Sequence, residues 1–207
     1  MVRQGQTMNK GFDKAGTERQ HRVVSADSEE LILVNTDDSE TGYLDKGRCH
    51  DGEGILHRAF SVFIFNDVGE LLLQQRAADK RLWPLYWSNS CCSHPRRGES
   101  MHLATRRRLA DELNIQIDLE FVYKFAYQAR FGDAGSENEL CSVYLGQCDQ
   151  KVRANQTEVA ALRYSGASAL AKEFATSPDA FTPWFKMEWE RLSTDFRQSL
   201  SKYSDIS

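Results

Sequence analysis

The chain of 207 residues contains no apolar run approaching the ~20 residues that a membrane-spanning helix requires. No helical membrane span is expected. Met1 to Gln20 is polar and lacks the apolar stretch of a secretory signal, so no leader is expected there. Basic charge is not in excess either. The 26 Lys and Arg stand against 30 Asp and Glu, a net charge of -4, which is the reverse of the basic domain that general nucleic-acid binders carry. That balance leaves room for a local cationic patch facing a small anion. No internal repeat is present. The five cysteines are odd in number, and none stands in Cys-x2-Cys spacing. A closed disulfide framework and a paired-thiol zinc domain are both disfavoured, and reduced thiols in a cytoplasmic protein are expected.

What is present suits one domain. Apolar residues make up 41 % of the chain, enough for a core at this length. Residues 1–27, rich in Gly, Lys, Arg, Gln and Ser and without periodicity, are expected to be a disordered tail ahead of a domain spanning 28–207. Strands are expected at Glu30–Val34 and Gly42–Lys46, followed by a loop to Leu56. The strongest strand runs through Ala59–Phe65, opened by His57, and turns at Asn66–Gly69 into Glu70–Arg76. The best helix covers Ser100 to Leu113, with Ser100 as N-cap and Asn114 at its end. Strands at Leu119–Ala129 and Glu139–Gly146 flank a loop at Phe131–Asn138, and another strand is expected at Val159–Tyr164. A short helix follows at Ser168–Phe174, then a long one from Trp184 to about Ser201 with Pro183 at its first position. This order predicts an α/β or α+β sandwich, helices packed on a mixed sheet, in a single domain.

Chemistry concentrates in Tyr86–Ser100. Two adjacent thiols, Cys91 and Cys92, precede His94, and Pro95 and Gly98 fence the run from the helix. A cysteine, an imidazole and a carboxylate in so short a span suit a nucleophile, an acid/base pair or a metal site, although Cys also packs as a small hydrophobe. The helix adds Glu99, Arg107, Leu109, Asp111, Glu112 and Ile115, which match the Nudix box, Gly-x5-Glu-x7-Arg-Glu-apolar-x-Glu-Glu-x-Gly-apolar. Carboxylates on one helical turn converge on hard divalent cations that bridge diphosphate oxygens. Ser93, Arg108 and Asn114 depart from that pattern. Arg108 matters most, since it replaces an acid with a cation and removes part of a hydrolase's metal-binding charge. An i,i+4 ion pair of Arg108 with Glu112 on a solvated helix is the plain alternative.

Asn89-Ser90-Cys91-Cys92-Ser93-His94-Pro95, the degenerate box and Ser136-Glu137-Asn138-Glu139-Leu140-Cys141 together resemble type I isopentenyl diphosphate isomerases, which have a Nudix-like fold without being hydrolases. His50 and His57, seven residues apart before the strong strand, belong to the same pattern. The resemblance runs from about Leu31 to the C-terminal helix. It implies Cys92 as the catalytic thiol and leaves Cys91 without a role. It implies a metal site of His50, His57, His94, Glu137 and Glu139, a donor set that suits a six-coordinate divalent ion such as Mn²⁺, Mg²⁺ or Zn²⁺. It places an acid/base partner on Tyr127 with Glu139, an active-site aromatic on Trp184, and diphosphate-binding cations on Lys46, Arg76, Lys80 and Arg108, with Arg107 as a further candidate. A second ion, Mg²⁺, would join Glu112 to the substrate diphosphate.

The implied reaction interconverts isopentenyl and dimethylallyl diphosphate, a 1,3 allylic proton shift through a tertiary carbocation. Such a reaction needs two opposed acid/base groups, a π face for the cation and exclusion of water. The expected partner is a small allylic or homoallylic diphosphate, with no nucleic acid and no membrane span, in a monomer or weak dimer. Two rival readings differ in class. A Nudix diphosphohydrolase would share the fold and box but has no need of Cys-Ser-His-Pro. A zinc-stabilised interaction domain would use the thiols structurally.

Overall fold

The computed structural model describes residues 21–205; the expectation of a tail over residues 1–20 lies outside the described residues. The sheet is organised around β3 (His57–Phe65), fed by β1 (Glu30–Val34) and β2 (Glu40–Asp45) and followed by β4 (Leu71–Arg76). Eight of its nine residues are buried, because helices cover both faces. The strand therefore reads as an almost unbroken apolar run. Next come β5 (Trp87–Ser88), β6 (Cys91–Ser93) and helix α2 (Met101–Leu113), with a four-residue helix α1 (Lys46–Cys49) earlier in the chain. The hairpin of β7 (Glu120–Phe131) and β8 (Gly135–Gln147) is followed by β9 (Val159–Ser165) and α3 (Ala167–Thr176). A 3₁₀ turn at Pro178–Ala180, α4 (Pro183–Thr194) and α5 (Arg197–Leu200) end the described chain.

Along one edge β3 pairs in parallel with β8 over its whole length, and β8 pairs antiparallel with β7. The other edge is shared. Leu33 of β1 meets His57, β6 lies beside Phe60–Val62, and Leu71 of β4 meets Phe65. The residues of β3 alternate between two cores. Ala59, Phe63 and Phe65 pack with Cys141, Val143 and Leu145 beneath Trp184, Phe185, Trp189 and Leu192 of α4. Phe60, Val62 and Ile64 pack with Leu72 and Cys91 against Leu109 and Leu113 of α2. This is the mixed α/β sandwich that the element order predicts.

Helix α2 is capped as its sequence predicts. Ser100 Oγ accepts from the Leu103 amide at 3.3 Å, and Asn114 is left-handed with φ 55°. Its buried face, Ala104, Thr105, Arg108, Leu109, Glu112 and Leu113, includes two charged residues, whereas Leu103 is 57 % exposed.

Several elements differ from expectation. The loop after Lys46 begins with α1. Cys91–Ser93 is a strand because it pairs with β3. The Phe131–Asn138 loop shrinks to a turn, since Gly135–Asn138 pair with β7. The long C-terminal helix breaks after Thr194, and Arg197–Leu200 forms a separate turn. Residues 21–27 lie against the domain. The Arg22 carbonyl accepts from Asn155, Val24 is buried, and its carbonyl accepts from Arg108 at 2.8 Å.

Candidate active site

Strand register assembles the site. His57 of β3 stands opposite Glu139 of β8, and Glu139 stands opposite Tyr127 of β7. One row across three strands thus carries an imidazole, a carboxylate and a phenol. Tyr127 donates to Glu139 Oε2 at 2.7 Å. On the other edge of β3, Cys92 is opposite Ser61 and Cys91 is opposite Val62. Successive strand residues face opposite ways. Cys91 therefore enters the α2 core, wholly buried, and Cys92 turns to the α4 side. The two thiols, indistinguishable by composition, are separated by the two-residue period of a strand.

The metal-ligand candidates converge from four elements. His50 ends α1, His57 opens β3, His94 follows β6, and Glu137 and Glu139 lie two apart on β8. One ligand atom from each of the five lies within 4.8 Å of the others. The backbone carbonyls of Lys46 and Ile55 bind Nδ1 of His50 and of His57, each at 2.7 Å. Those contacts orient both rings with Nε2 toward the cluster, as carbonyls behind metal-bound histidines do. His57 Nε2 is buried without a hydrogen-bond partner; its nearest carboxylate oxygen, on Glu139, is 3.8 Å away. A fully buried imidazole with an unmet nitrogen, beside two carboxylates and two more imidazoles, fits a divalent cation.

The electrostatics divide the five: burial opposes charge on His50 but Glu137 outweighs it and raises His50, burial and then Glu137 push Glu139 well up, and the other three shift toward the ligating form. Burial, then His50, pushes His57 down to about 4, so it is neutral at physiological pH, the form in which an imidazole can ligate a metal. Burial, then His57 and His50, also holds His94 well below its usual range. Burial would raise Glu137, but the charge and hydrogen bond of His50 pull it down to about 2.

Gly135 makes the junction possible. Its φ is 138°, and a Cβ there would lie 2.2 Å from the His50 carbonyl oxygen. That carbonyl accepts from the Ser136 amide at 3.0 Å, which ties the end of α1 to the start of β8.

Cys92 is held by a ring of polar groups. It donates to Asn89 Oδ1 at 2.8 Å, and Trp184 Nε1 approaches its sulfur at 3.3 Å while also donating to Ser88 Oγ at 3.1 Å. Burial, then the charge of Glu188, pushes the Cys92 thiol up to about 12, so it rests protonated. Trp184 is 2 % exposed. Arg76 lies over its ring at 5.3 Å, and Tyr127 packs nearby with centroids 6.3 Å apart.

A cavity of about 270 Å³ joins these groups to a cationic end and is lined by Cys92, Tyr127, Glu139, Trp184, Lys46, Arg76, Lys80, Arg108 and Glu112 among others. Its size is near the lower end for small-ligand sites. Of the sequence candidates Arg107 stands apart. It is locked to Glu99 at 2.7 and 2.8 Å and lines a different hollow. Arg108 is 2 % exposed and binds Glu112 at 2.5 Å and Glu158 at 3.0 Å. Burial opposes its charge, but Glu112 and Glu158 outweigh that and hold it above its usual range. Glu158, which also pairs with Lys80, was not among the sequence candidates; an acid after a polar loop carries no distinguishing signal. Ser61, Ser88 and Gln74 were missed for the same reason, being common strand residues whose role depends on what stands opposite.

The NUDIX domain family model matches residues 55–185. A Deinococcus radiodurans protein shares the fold, with TM-score 0.60 and 22 % identity over 72 % of this chain and 90 % of its own. A MutT protein from Methanosarcina mazei does so at 0.55 and 17 %, over 68 % of this chain and 95 % of its own. The chain belongs to the Nudix family. Within it, the isopentenyl-diphosphate Delta-isomerase of Burkholderia multivorans is 44 % identical over 79 % of this chain and 92 % of its own length. The isopentenyl-diphosphate Delta-isomerase 1 of Photorhabdus laumondii is 42 % identical over 78 % and 93 %. At that identity and coverage the branch is the isopentenyl-diphosphate Delta-isomerases.

Proposed function

We propose that this protein interconverts isopentenyl diphosphate and dimethylallyl diphosphate, with Cys92 as one acid/base group and Glu139, aided by Tyr127, as the other. The observation that carries this reading is their placement on opposite edges of β3, with Trp184 touching Cys92 and packed toward Tyr127. A substrate lying across β3 would present one carbon to the thiol and the other to the carboxylate–phenol pair. Cys92 is protonated at rest and can supply a proton to an alkene carbon. Tyr127, donating to Glu139 at 2.7 Å, gives that side a hydroxyl through which a proton can pass. The reaction is reversible, so each side acts as acid in one direction and base in the other.

The intermediate is a tertiary cation in a buried chamber. Trp184 offers it a π face, an interaction worth about 2 kcal/mol when desolvated. Trp83, set edge-on to Trp184 at 5.2 Å, walls the same region against water, which would otherwise trap the cation. Lys46, Arg76, Lys80 and Arg108 hold the diphosphate at the other end; the planar guanidinium groups suit paired contacts to phosphate oxygens. His50, His57, His94, Glu137 and Glu139 would hold a Mn²⁺, Mg²⁺ or Zn²⁺ ion that keeps Glu139 fixed and ionised, and Glu112 would hold a Mg²⁺ ion that screens the diphosphate. The five free thiols accord with a reducing, cytoplasmic location.

The test is incubation of the metal-loaded protein with isopentenyl diphosphate and Mg²⁺, followed by product identification. Dimethylallyl diphosphate is expected. Release of phosphate without an isomer would replace this reading with a diphosphohydrolase.

A further inference from the structure

The turn that joins β4 to β5 is strained on both sides of Pro84. Trp83 has φ 46° and Leu85 has φ 62°, left-handed values at which a bulky side chain is an outlier. Trp83 is restricted further because it precedes a proline. Backbone of this kind persists only where its surroundings hold it, and here the last two residues of β4 do so. The Arg76 guanidinium donates from Nη2 to the Leu82 carbonyl at 2.9 Å and from Nε to the Trp83 carbonyl at 3.1 Å. Gln75 Nε2 donates to the Leu85 carbonyl at 3.0 Å, and the Leu85 amide donates to the Arg76 carbonyl at 3.1 Å. The turn takes up Nε and Nη2 of Arg76, so Nη1 is the nitrogen that remains for a diphosphate oxygen.

Of the two strained residues, one reaches the site. Leu85 is exposed, whereas Trp83 is buried. The Trp83 indole stands edge-on to Trp184, with centroids 5.2 Å apart and planes at 90°, and leans on Phe131 at 5.1 Å. Trp184 in turn approaches the Cys92 sulfur at 3.3 Å, and Arg76 lies over its ring at 5.3 Å. One guanidinium therefore fixes the backbone of one indole and covers the ring of the other. Aromatic pairs prefer such an edge-to-face arrangement, so the place where Trp83 is held decides where the face of Trp184 rests.

We propose that Trp83 is a positioning residue for Trp184, and that Arg76, by holding Trp83 in its strained backbone, keeps the aromatic wall closed to water around the reacting carbons. The inference rests on the carbocation route given under Proposed function. On that route the acid group gives a proton to the terminal alkene carbon, and the positive charge falls on the tertiary carbon. With the wall closed, the opposing base removes a proton from the adjacent methylene and the new double bond forms. With the wall open, a water oxygen bonds to the tertiary carbon and the added water gives a proton to the base. The product is then a saturated tertiary alcohol diphosphate, one water heavier than the substrate. Loss of the wall thus has a chemical signature, which loss of stability alone does not produce.

The test compares wild type, Trp83→Phe, Trp83→Ala and Arg76→Lys as metal-loaded proteins, with folding followed by circular dichroism. Each is given isopentenyl diphosphate in ¹⁸O-labelled water, and kcat, KM and the labelled alcohol are measured, the last by mass spectrometry. Wild type should form dimethylallyl diphosphate and no labelled alcohol. In Trp83→Ala kcat should drop by about tenfold or more with KM within about threefold, because the diphosphate contacts are untouched, and labelled alcohol should appear. Trp83→Phe keeps a ring at the wall and should return kcat to within about threefold of wild type without alcohol. Arg76→Lys keeps the charge but lacks the planar fork that spans two carbonyls; its KM should rise, and it too should form labelled alcohol. A folded Trp83→Ala protein that forms no alcohol overturns the proposal, whether or not its kcat has dropped. An Arg76→Lys protein in which KM alone changes overturns the part given to Arg76. If Trp83→Ala does not fold, Trp83→Leu, which keeps apolar bulk without a ring, takes its place under the same criteria. Failure of the wild type to isomerise would fall on the functional reading, whereas an isomerising wild type matched by all the variants would fall on Trp83 and Arg76 only.

Discussion

Replacing Gly135 with Ala adds one carbon atom and should damage the metal site more than many larger changes. Two costs follow from the geometry. The backbone at φ 138° lies where a side chain is strained, a penalty of about 1–3 kcal/mol. The new Cβ would lie 2.2 Å from the His50 carbonyl oxygen, a backbone atom that can yield only if α1 and β8 move apart by about 1 Å, enough to lose the Ser136–His50 hydrogen bond, worth about 0.5–1.5 kcal/mol. Together the loss is about 2–4 kcal/mol, which in a domain of this size lowers Tm by about 4–16 °C. The functional cost is separate. The movement pulls His50 away from Glu137, to which it is joined at 2.7 Å, and a displacement of about 1 Å at a reacting centre can cost about a hundredfold in rate. Thermal melts with and without added divalent metal, metal content after gel filtration, and kcat on isopentenyl diphosphate measure the three effects. The variant should melt earlier, retain less metal and gain less Tm from added metal than wild type. A Gly135→Ala protein with unchanged Tm and full metal content would refute the reasoning, because the contact would then have relaxed without separating α1 from β8.

The strand alternation of Cys91 and Cys92 makes opposite variants informative: Cys92→Ala should lose isomerisation by orders of magnitude while melting near wild type, and Cys91→Ala should turn over normally but lose about 1 kcal/mol of stability through its emptied core position; equal activity losses would show that the register argument fails. Removing metal by chelation should abolish turnover and lower Tm together, since a ligand bound only by the native state adds to its stability, and full activity of metal-free protein would reject the five-residue site. Lys46 is pushed down to about 8 by burial, then by Lys80 and Arg108. Its charge is therefore present below that pH and lost above it, so KM for the diphosphate should rise through about pH 8, and Lys46→Arg should move that rise upward. The same shift acts on folding with the other sign: between about 8 and its unfolded value of 10.5 the unfolded chain binds more protons, so this group's contribution to stability grows as pH rises. A KM that stays flat over this range would show that Lys46 does not bind the diphosphate.

Where burial was two-sided or caps were explicit, the sequence could be read directly. The apolar run at 59–65 is β3, and Ser100 and Asn114 bound α2 within a residue. The misses share a cause, which is that pairing rather than composition decides them. Cys91–Ser93 is three residues long and becomes a strand only because β3 offers an edge between β1 and β4. Ser136-Glu137-Asn138 looks like a polar turn, yet it is strand because β7 continues opposite it. Helix α1 has four residues, too few for any periodicity to register. Glu188 was legible in principle. Trp184, Glu188 and Leu192 are spaced by four and lie on one face of α4, so an inward Trp and Leu imply an inward Glu, though Lys186 and Glu190 on either side make it look solvated.

The same considerations explain how a Nudix helix serves without box hydrolysis. In the box pattern the helix carboxylates are free to gather cations around a diphosphate. Here Glu99 is occupied by Arg107 at 2.7 Å, and Glu112 by Arg108 at 2.5 Å. Arg108 stands where the pattern has an acid, so one substitution deletes a ligand and sets a guanidinium against one oxygen, Oε1, of Glu112. Its inward placement is stabilised from the far side by Glu158 at 3.0 Å and by the Val24 carbonyl at 2.8 Å. The helix is thereby converted from an acidic cation-gathering surface into a mixed one that keeps a guanidinium in the cavity wall. The five residues that could hold a metal ion lie elsewhere, His57, Glu137 and Glu139 where β3 and β8 run in parallel and His50 and His94 beside them, and Glu139 joins Tyr127 to that group. Shared register ties the proposed metal set to one proposed acid/base group, while the opposite edge of β3 carries the Cys92 thiol. This proposed division, with the diphosphate held by Lys46 of α1, Arg76 of β4, Lys80 beyond it and Arg108 of α2, and with proton chemistry across β3, supports isomerisation over phosphate release, because the reacting carbons and the phosphorus atoms would be held by different residues.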